Sequence, residues 1–231
     1  MKLKYGIITL MATFLFTLTA QAQNVFNEVS YSPRQTTFKL NAPKKPTLRI
    51  YEAGRGGNAI KKIKMKQTAE NVWEATVSGD LKGKFYTFDI GRGETPGVFA
   101  KAVGINGHRG AIIDMQTTNP SGWNSDHRLA LKSPADLIIY EMHHRDFSID
   151  PSSGLVNKGK FLALTEQKAI RHLKELGINA VHILPSFDFA SIDEANTTTP
   201  QYNWGYDPQN YNVPEGSYSF DAEQPTRRIL E

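Results

Sequence analysis

The sequence has 231 residues, 39 % hydrophobic and 22 % charged, with 27 Lys and Arg against 23 Asp and Glu and no cysteine. It is apolar enough to build a packed core, so a disordered chain and a fibre are excluded. Without thiols, disulfides, cysteine-ligated zinc and a cysteine nucleophile are excluded too. A formal net charge of +4 would suit nucleic acid, but the distribution of that charge does not.

Met1-Lys2-Leu3-Lys4 is basic, Gly6 to Leu18 carries no charge, and Ala20-Gln21-Ala22 has the small-x-small pattern of a signal-peptidase site. The apolar run is shorter than the roughly 20 residues a membrane span needs. Residues 1–22 are therefore expected to be a signal peptide. That implies export to a periplasm or the cell exterior, with no stable membrane span after cleavage. Loss of Lys2 and Lys4 leaves 25 basic and 23 acidic residues, net +2. Only Lys61 to Lys66 are locally dense, and no aromatics interleave them, so they read as a solvated face and no nucleic-acid partner is expected.

From Asn24 to Arg128 the pattern is that of short strands. Phe38 and Leu40, Leu48 and Ile50, Trp73, Ala75 and Val77, and Tyr86, Phe88 and Ile90 each recur at period two, which buries one face of a strand. Pro43 and Pro46, Gly54 to Asn58, Ser78-Gly79-Asp80 and Gly91 to Gly97 separate the runs. This predicts an antiparallel, immunoglobulin-like β-sandwich over 23–132.

After Ser133-Pro134 the pattern changes. Leu137 to His143 reads as a buried parallel strand, and Ala180 to Leu184 as a second one stopped by Pro185. Between them Thr165 is the expected helix cap, Ala169, Leu173 and Leu176 form one stripe, and Gly177 ends the helix. Strand, helix and strand in this order predict a βαβ unit. Pro185 to Gln224 reads as a long irregular segment, of the kind that is usually functional. Pro225 to Glu231 reads as the start of another helix.

The segment Tyr202-Asn203-Trp204-Gly205-Tyr206-Asp207-Pro208, continuing through Tyr211 to Tyr218, sets four Tyr and one Trp among amides, carboxylates and glycines. Aromatic faces stack on the C–H face of a sugar while Asn, Asp and Glu bond its hydroxyls, the composition of a carbohydrate cleft. A loop pinned by its own aromatics has the same composition, and both readings stand. His143 and His144, as neighbours on a strand, point to opposite faces and cannot easily form a metal pair, so only one is expected to face a ligand. Arg145 and Asp146 most simply make a local ion pair or turn contact, and His182 reads as a core histidine before a ligand. Asp188, Asp193 and Glu194 read as loop carboxylates in water, with no spacing that marks the facing pair a glycosidase needs. Phosphate-loop, HExxH and G-x-S-x-G motifs are absent.

The runs YNWGYDP at Tyr202 to Pro208 and VPEGSYS at Val213 to Ser219 resemble the signature of bacterial type I pullulanases, debranching enzymes of the α-amylase superfamily, glycoside hydrolase family 13. Ile139 to Ser148 is similar to the family's first barrel strand, which usually has Val where His144 stands. Leu173 to Ile178 and His182 to Phe189 resemble its first helix and second strand with the following loop. Tyr31 to Pro43 resembles the opening of the preceding sandwich module, where the family usually has Trp at the position of Asn41. Ala100 to Gly110 also fits, while Val98-Phe99 stands where the family has Asp-Pro-Tyr.

This resemblance implies a secreted or periplasmic enzyme that cleaves α-1,6 branch linkages of pullulan and of starch- or glycogen-derived α-glucans on a (β/α)8 TIM barrel, of which 133–231 would be the start. It implies that Tyr206 stacks on the glucose before the cleaved bond, that Asn203, Trp204 and Asp207 frame that site, and that His143 reaches it from the first strand. The family's catalytic carboxylates belong to strands four, five and seven, so no catalytic residue is expected in this chain. An eightfold barrel takes about 250 residues, and fewer than 100 follow Ser133. The sequence thus reads as the N-terminal portion of such an enzyme, inactive alone. The competing reading is a non-catalytic α-glucan-binding protein; an isoamylase or neopullulanase is disfavoured by the intact YNWGYDP. No cofactor is evident, and calcium, which the resemblance allows, has no recognisable ligand set.

Overall fold

The computed structural model describes residues 26–127 and 130–231, so the expected signal peptide over 1–22 lies outside the described residues. The first half forms β1 (Val29–Ser32), β2 (Gln35–Asn41), β3 (Thr47–Tyr51), β4 (Lys61–Lys64), β5 (Lys66–Ala69), β6 (Val72–Ser78), β7 (Phe85–Asp89), β8 (Glu94–Thr95) and β9 (Gly110–Ala111). Two sheets result, with orders β1-β2-β6-β5 and β4-β3-β7-β8, the second extended by β9 on β7. All these pairings are antiparallel. The period-two residues meet where expected: Phe38, Leu40, Ala75 and Val77 of one sheet share a core with Leu48, Ile50, Tyr86 and Phe88 of the other. Tyr86 packs between Phe38 and Phe88 at ring separations of 5.3 and 5.4 Å. Strand β7 departs from simple alternation, because Phe85 on its outer side is covered by Tyr51, Ala102 and Ala111.

The second half opens with β10 (Ile139–Met142), α1 (Asp146–Ile149), α2 (Gln167–Glu175) and β11 (Ala180–Ile183). Strands β10 and β11 pair in parallel from Ile139↔Ala180 to Met142↔Ile183, which makes the expected βαβ unit. Thr165 is not its helix cap: Glu166 precedes α2, and the Thr165 hydroxyl donates to Leu162 O at 2.9 Å within a preceding 3-10 turn. The Glu166 carboxylate instead accepts the Val156 and Asn157 N–H groups. Gly177, at φ 71°, ends the helix as expected. Of the predicted stripe only Ala169 is fully buried, against Leu155 and Ala163.

The segment expected to be irregular contains β12 (Phe187–Phe189) and β13 (Pro208–Pro214), antiparallel with two register shifts, before α3 (Pro225–Leu230). Its polar sequence conceals strands because these pair with each other and not with a long apolar partner. Val213 packs on Ala100 and Val103, and Ile229 on the cluster around Tyr51, joining this half to the sandwich. Among the described residues no helix is long and apolar enough to cross a membrane.

Candidate functional site

Strands β12 and β13 hold the ends of the 190–207 loop, and Asp207 ties them. Its carbonyl accepts the Ala190 N–H at 3.0 Å. Its carboxylate accepts the Ser191 N–H and Asn203 Nδ2, both at 2.8 Å. Asn203 also donates to Ser191 Oγ and accepts the Gly205 N–H. Gly205 sits at φ 86°, and a Cβ there would overlap the Pro185 carbonyl, so glycine is required. Burial pushes Asp207 up, but the bonds from Ser191 and Asn203 outweigh it and keep the carboxyl below the usual carboxylate range.

With Asn203 and Asp207 turned inward, the aromatic residues between and beside them turn out. Tyr202, Trp204 and Tyr206 are 82, 59 and 66 % exposed. The Tyr202 and Trp204 rings lie 6.3 Å apart, and Tyr211 is backed by Phe187 at 5.0 Å. The arrangement offers flat apolar faces on a loop fixed by its own hydrogen bonds, which suits stacking against a flat ligand surface. The aromatics do not pin the loop; the Asn203–Asp207–Ser191 network does.

Strand β10 ends at Met142, so the opposite-face rule for neighbouring strand residues does not reach His143 and His144, and both turn inward. His143 Nδ1 accepts the Asp146 N–H at 3.2 Å. In the neutral ring the proton is then on Nε2, which donates to Tyr218 Oη at 3.2 Å. Asp146 is thus tied to His143 through its backbone N–H, and among the described residues it forms no ion pair with Arg145. His143 and Asn203 share a pocket with Arg145, Gln201 and Tyr218, whereas Trp204, Tyr206 and Asp207 are not in its lining. His144 lies between Phe161 and Tyr218, with ring separations of 4.9 and 5.1 Å. Among the described residues neither of its ring nitrogens finds a hydrogen-bond partner. Burial, partly offset by the Lys160 backbone, pulls its pKa down. His182 is not a core histidine: its side chain is 66 % exposed and pairs with Glu141 at 3.1 Å.

The reading of loop carboxylates as solvated holds for Asp193 but not for Asp188 and Glu194, which are buried with Glu215 around Arg228. Sequence reasoning missed Glu215, Arg228, Ser191 and Tyr218, none of which has a local signal beyond its place in or beside the aromatic segment. The carboxylate oxygens of Asp188, Glu194 and Glu215 lie within 4.8 Å of one another, the spacing of a cation site. They do not fit calcium: Arg228 already supplies the positive charge at 2.5 Å from Glu194, and backbone N–H groups occupy Glu194 and Glu215.

No family model matches the chain. It is 35 % identical over 214 residues to the pullulanase of Bacillus subtilis (strain 168), covering 87 % of this chain and 29 % of that protein. The crystal structure of the Paenibacillus barengoltzii pullulanase in complex with maltohexaose and α-cyclodextrin matches at 43 % identity and a TM-score of 0.84, over 87 % of this chain and 34 % of that one. The Bacillus acidopullulyticus pullulanase matches at 39 % identity and a TM-score of 0.78, over 87 % of this chain and 26 % of that one. The chain thus spans about a third or less of the length of these relatives.

Proposed function

We propose, from the homology of this chain with the N-terminal part of pullulanases, that it carries the glucan-binding loop of an exported debranching hydrolase acting on α-1,6 linkages of α-glucans. On this reading residues 1–22 are the signal peptide, 23–132 an immunoglobulin-like module and 133–231 the start of a (β/α)8 barrel. Tyr206 stacks on the sugar, Trp204 flanks it, Asn203 and Asp207 hold the loop in shape, and His143 lines the adjoining pocket. The observation that carries the reading is the row of exposed aromatic rings fixed by a hydrogen-bonded loop. Relatives bound to maltohexaose and to maltotriose support the ligand class.

The hydrolytic carboxylates that such a reaction requires are not assigned to any described residue. The carboxylate cluster that the structure brings together, Asp188 with Glu194 and Glu215, is buried and closed by Arg228, so it does not face a substrate. Binding without turnover by the 231-residue chain is therefore expected, on this reading as on that of a non-catalytic α-glucan-binding protein. Titration of the purified chain with maltohexaose is expected to give measurable heat, and Tyr206→Ala to weaken binding by about 5- to 150-fold, taking the stacking on one ring as worth about 1–3 kcal/mol, as for a stacked base. Equal affinity in Tyr206→Ala would refute the role of that ring. Reducing-sugar release from pullulan by the 231-residue chain would refute the assignment of catalysis elsewhere.

A further inference from the structure

The sandwich and the second half meet at a turn and a buried charge cluster for which the glucan reading has no use. Asn106 takes a left-handed conformation, φ 57° and ψ 22°, ahead of Gly107 at φ 69°. Across the interface, the Asn106 N–H donates to Glu194 Oε2 at 2.6 Å and Asn106 Oδ1 accepts the Glu194 N–H at 2.8 Å. Asn106 Nδ2 donates to Asp193 Oδ1 at 2.9 Å. The Asn106 and Gly107 carbonyls accept Gln209 Nε2 and Asn210 Nδ2, each at 3.0 Å. A Cβ at Gly107 would overlap Asp188 Oδ2 and the side-chain amides of Asn210 and Gln209. The turn fits its seat only as glycine.

Behind the seat, Arg228 Nη2 lies 2.5 Å from Glu194 Oε2 and Nη1 lies 3.5 Å from Asp188 Oδ1. Glu194 accepts three N–H groups, from Asn106, Gly216 and Arg228. Glu215 accepts the Phe189 and Ser217 N–H groups at 3.1 and 2.9 Å. Asp188 accepts Asn210 Nδ2 at 2.6 Å. Three carboxylates face one guanidinium, with Lys160 a second cation toward Glu215, so full ionisation would still leave a negative charge uncompensated in a buried site. Such a site retains a proton instead.

We propose that Asp188, Glu194, Glu215 and Arg228 form a proton-holding clasp that seats the Asn106–Gly107 turn of the sandwich on the strand pair carrying the aromatic loop, and that the seat loosens as the proton is lost. The path to the loop is short: Asp188 pairs with Asn210 and Phe189 with Pro208 across β12 and β13, and Ala190 and Ser191 hold Asp207.

Burial first, and the Glu194 charge with it, push Asp188 up to about 7 and Glu215 up to about 8. Both therefore bind protons more tightly folded than unfolded. Their stabilisation is complete below the ordinary carboxylate range, declines as pH rises above it, and is gone beyond these two values. The other charged or titratable groups facing the cluster are Lys160 and Tyr218 toward Glu215, and Arg55 toward Asp193. Lys160 is bonded to the Ser217 and Ser219 carbonyls, both at 2.9 Å. The clasp needs no ligand, so its test is independent of glucan binding.

Hydrogen exchange of the 231-residue chain at pH 5.5, 7 and 8.5, with times scaled to the intrinsic chemical rate, reads the clasp directly. Protection of peptides covering 104–110 and 188–195 is expected to fall at least tenfold from pH 5.5 to 8.5, while peptides of β2 and β7 keep theirs. Asp188→Asn combined with Glu215→Gln, neutral at every pH, is expected to flatten that fall. Gly107→Ala is expected to lose protection of 104–110 at pH 5.5 already. An equal pH response in the clasp and in β2 and β7 of the unmodified chain would overturn the proposal without recourse to any variant. An undiminished fall in the double variant, or intact protection in Gly107→Ala, would do so as well.

Discussion

In the sandwich, Phe38, Leu48, Ile50 and Phe88 are wholly withdrawn from water, while in the parallel pair Ile139, Val181 and Ile183 remain 58, 39 and 37 % exposed. Both regions have well-formed strand pairing. What differs is that each sandwich sheet faces a second apolar sheet, whereas β10 and β11 lean on polar ties: Ile138 N–H to Asn179 Oδ1 at 2.8 Å and Asn179 Nδ2 to the Asp136 carbonyl at 2.7 Å. Strand hydrogen bonds set register, but burial supplies most of the free energy.

The largest test of that contrast is a pair of truncations. Phe38→Ala is expected to cost about 3–5 kcal/mol, because it removes a fully buried ring and leaves a cavity between the sheets. Ile139→Ala removes a side chain already in water and is expected to stay within about 0.5 kcal/mol. Denaturant unfolding of both variants against the parent measures the difference, and equal costs would break the comparison.

Next comes the polar counterpart of the sandwich core. Arg228→Met removes the positive member of a buried cluster and strands its carboxylates, with an expected cost of about 3 kcal/mol at pH 8. Protonation of Asp188 and Glu215 relieves that charge, so the cost is expected to shrink as pH falls toward 5. A pH-independent change in stability on denaturant unfolding would mean that the cluster holds by packing alone.

A gain is expected at His144. Both of its ring nitrogens are buried without partners among the described residues, a burden of about 1–3 kcal/mol, so His144→Val is expected to stabilise by about 1 kcal/mol after the loss of ring contacts. The histidine pKa is lowered by burial, so its folded form resists protonation and loses stability as pH falls below the ordinary histidine range. The advantage of the valine variant is therefore expected to grow between pH 7 and pH 5, read as a widening difference in Tm.

These sites also mark where sequence reasoning ran out. The sandwich was legible because period-two alternation at 38/40, 48/50, 75/77 and 86/88 needs no knowledge of distant residues. The outward aromatics of the 202–208 loop were legible from composition, and the resemblance of that run to pullulanases agreed with the relatives found. The burial of Asp188 and Glu194 was not legible: their partners are Arg228, 40 and 34 positions on, and Asn106, 88 positions before Glu194. No local pattern encodes a charge pair closed over such separations. For His143 and His144 the alternation rule does not apply, since both lie past the end of β10 at Met142, yet only His143 lines the pocket.

The smallest expected effect on stability is also the most direct probe of the exposed pair. Val181 sits in the middle of β11 and is exposed, so Val181→Thr exchanges a methyl for a hydroxyl with little burial to lose and keeps a β-branched strand former. Its unfolding free energy is expected to stay within about 0.5 kcal/mol of the parent. Its solubility is a different matter: Leu137, Ile138, Ile139, Leu176, Val181 and Ile183 are all exposed on or beside the same two strands and the helix between them. Clustered apolar exposure on strands promotes association. Val181→Thr with Ile139→Thr is therefore expected to raise the concentration at which light scattering begins while leaving Tm unchanged. A fall in Tm of several degrees would show instead that these side chains are already packed, and that the parallel pair resembles the sandwich more closely than its exposure indicates.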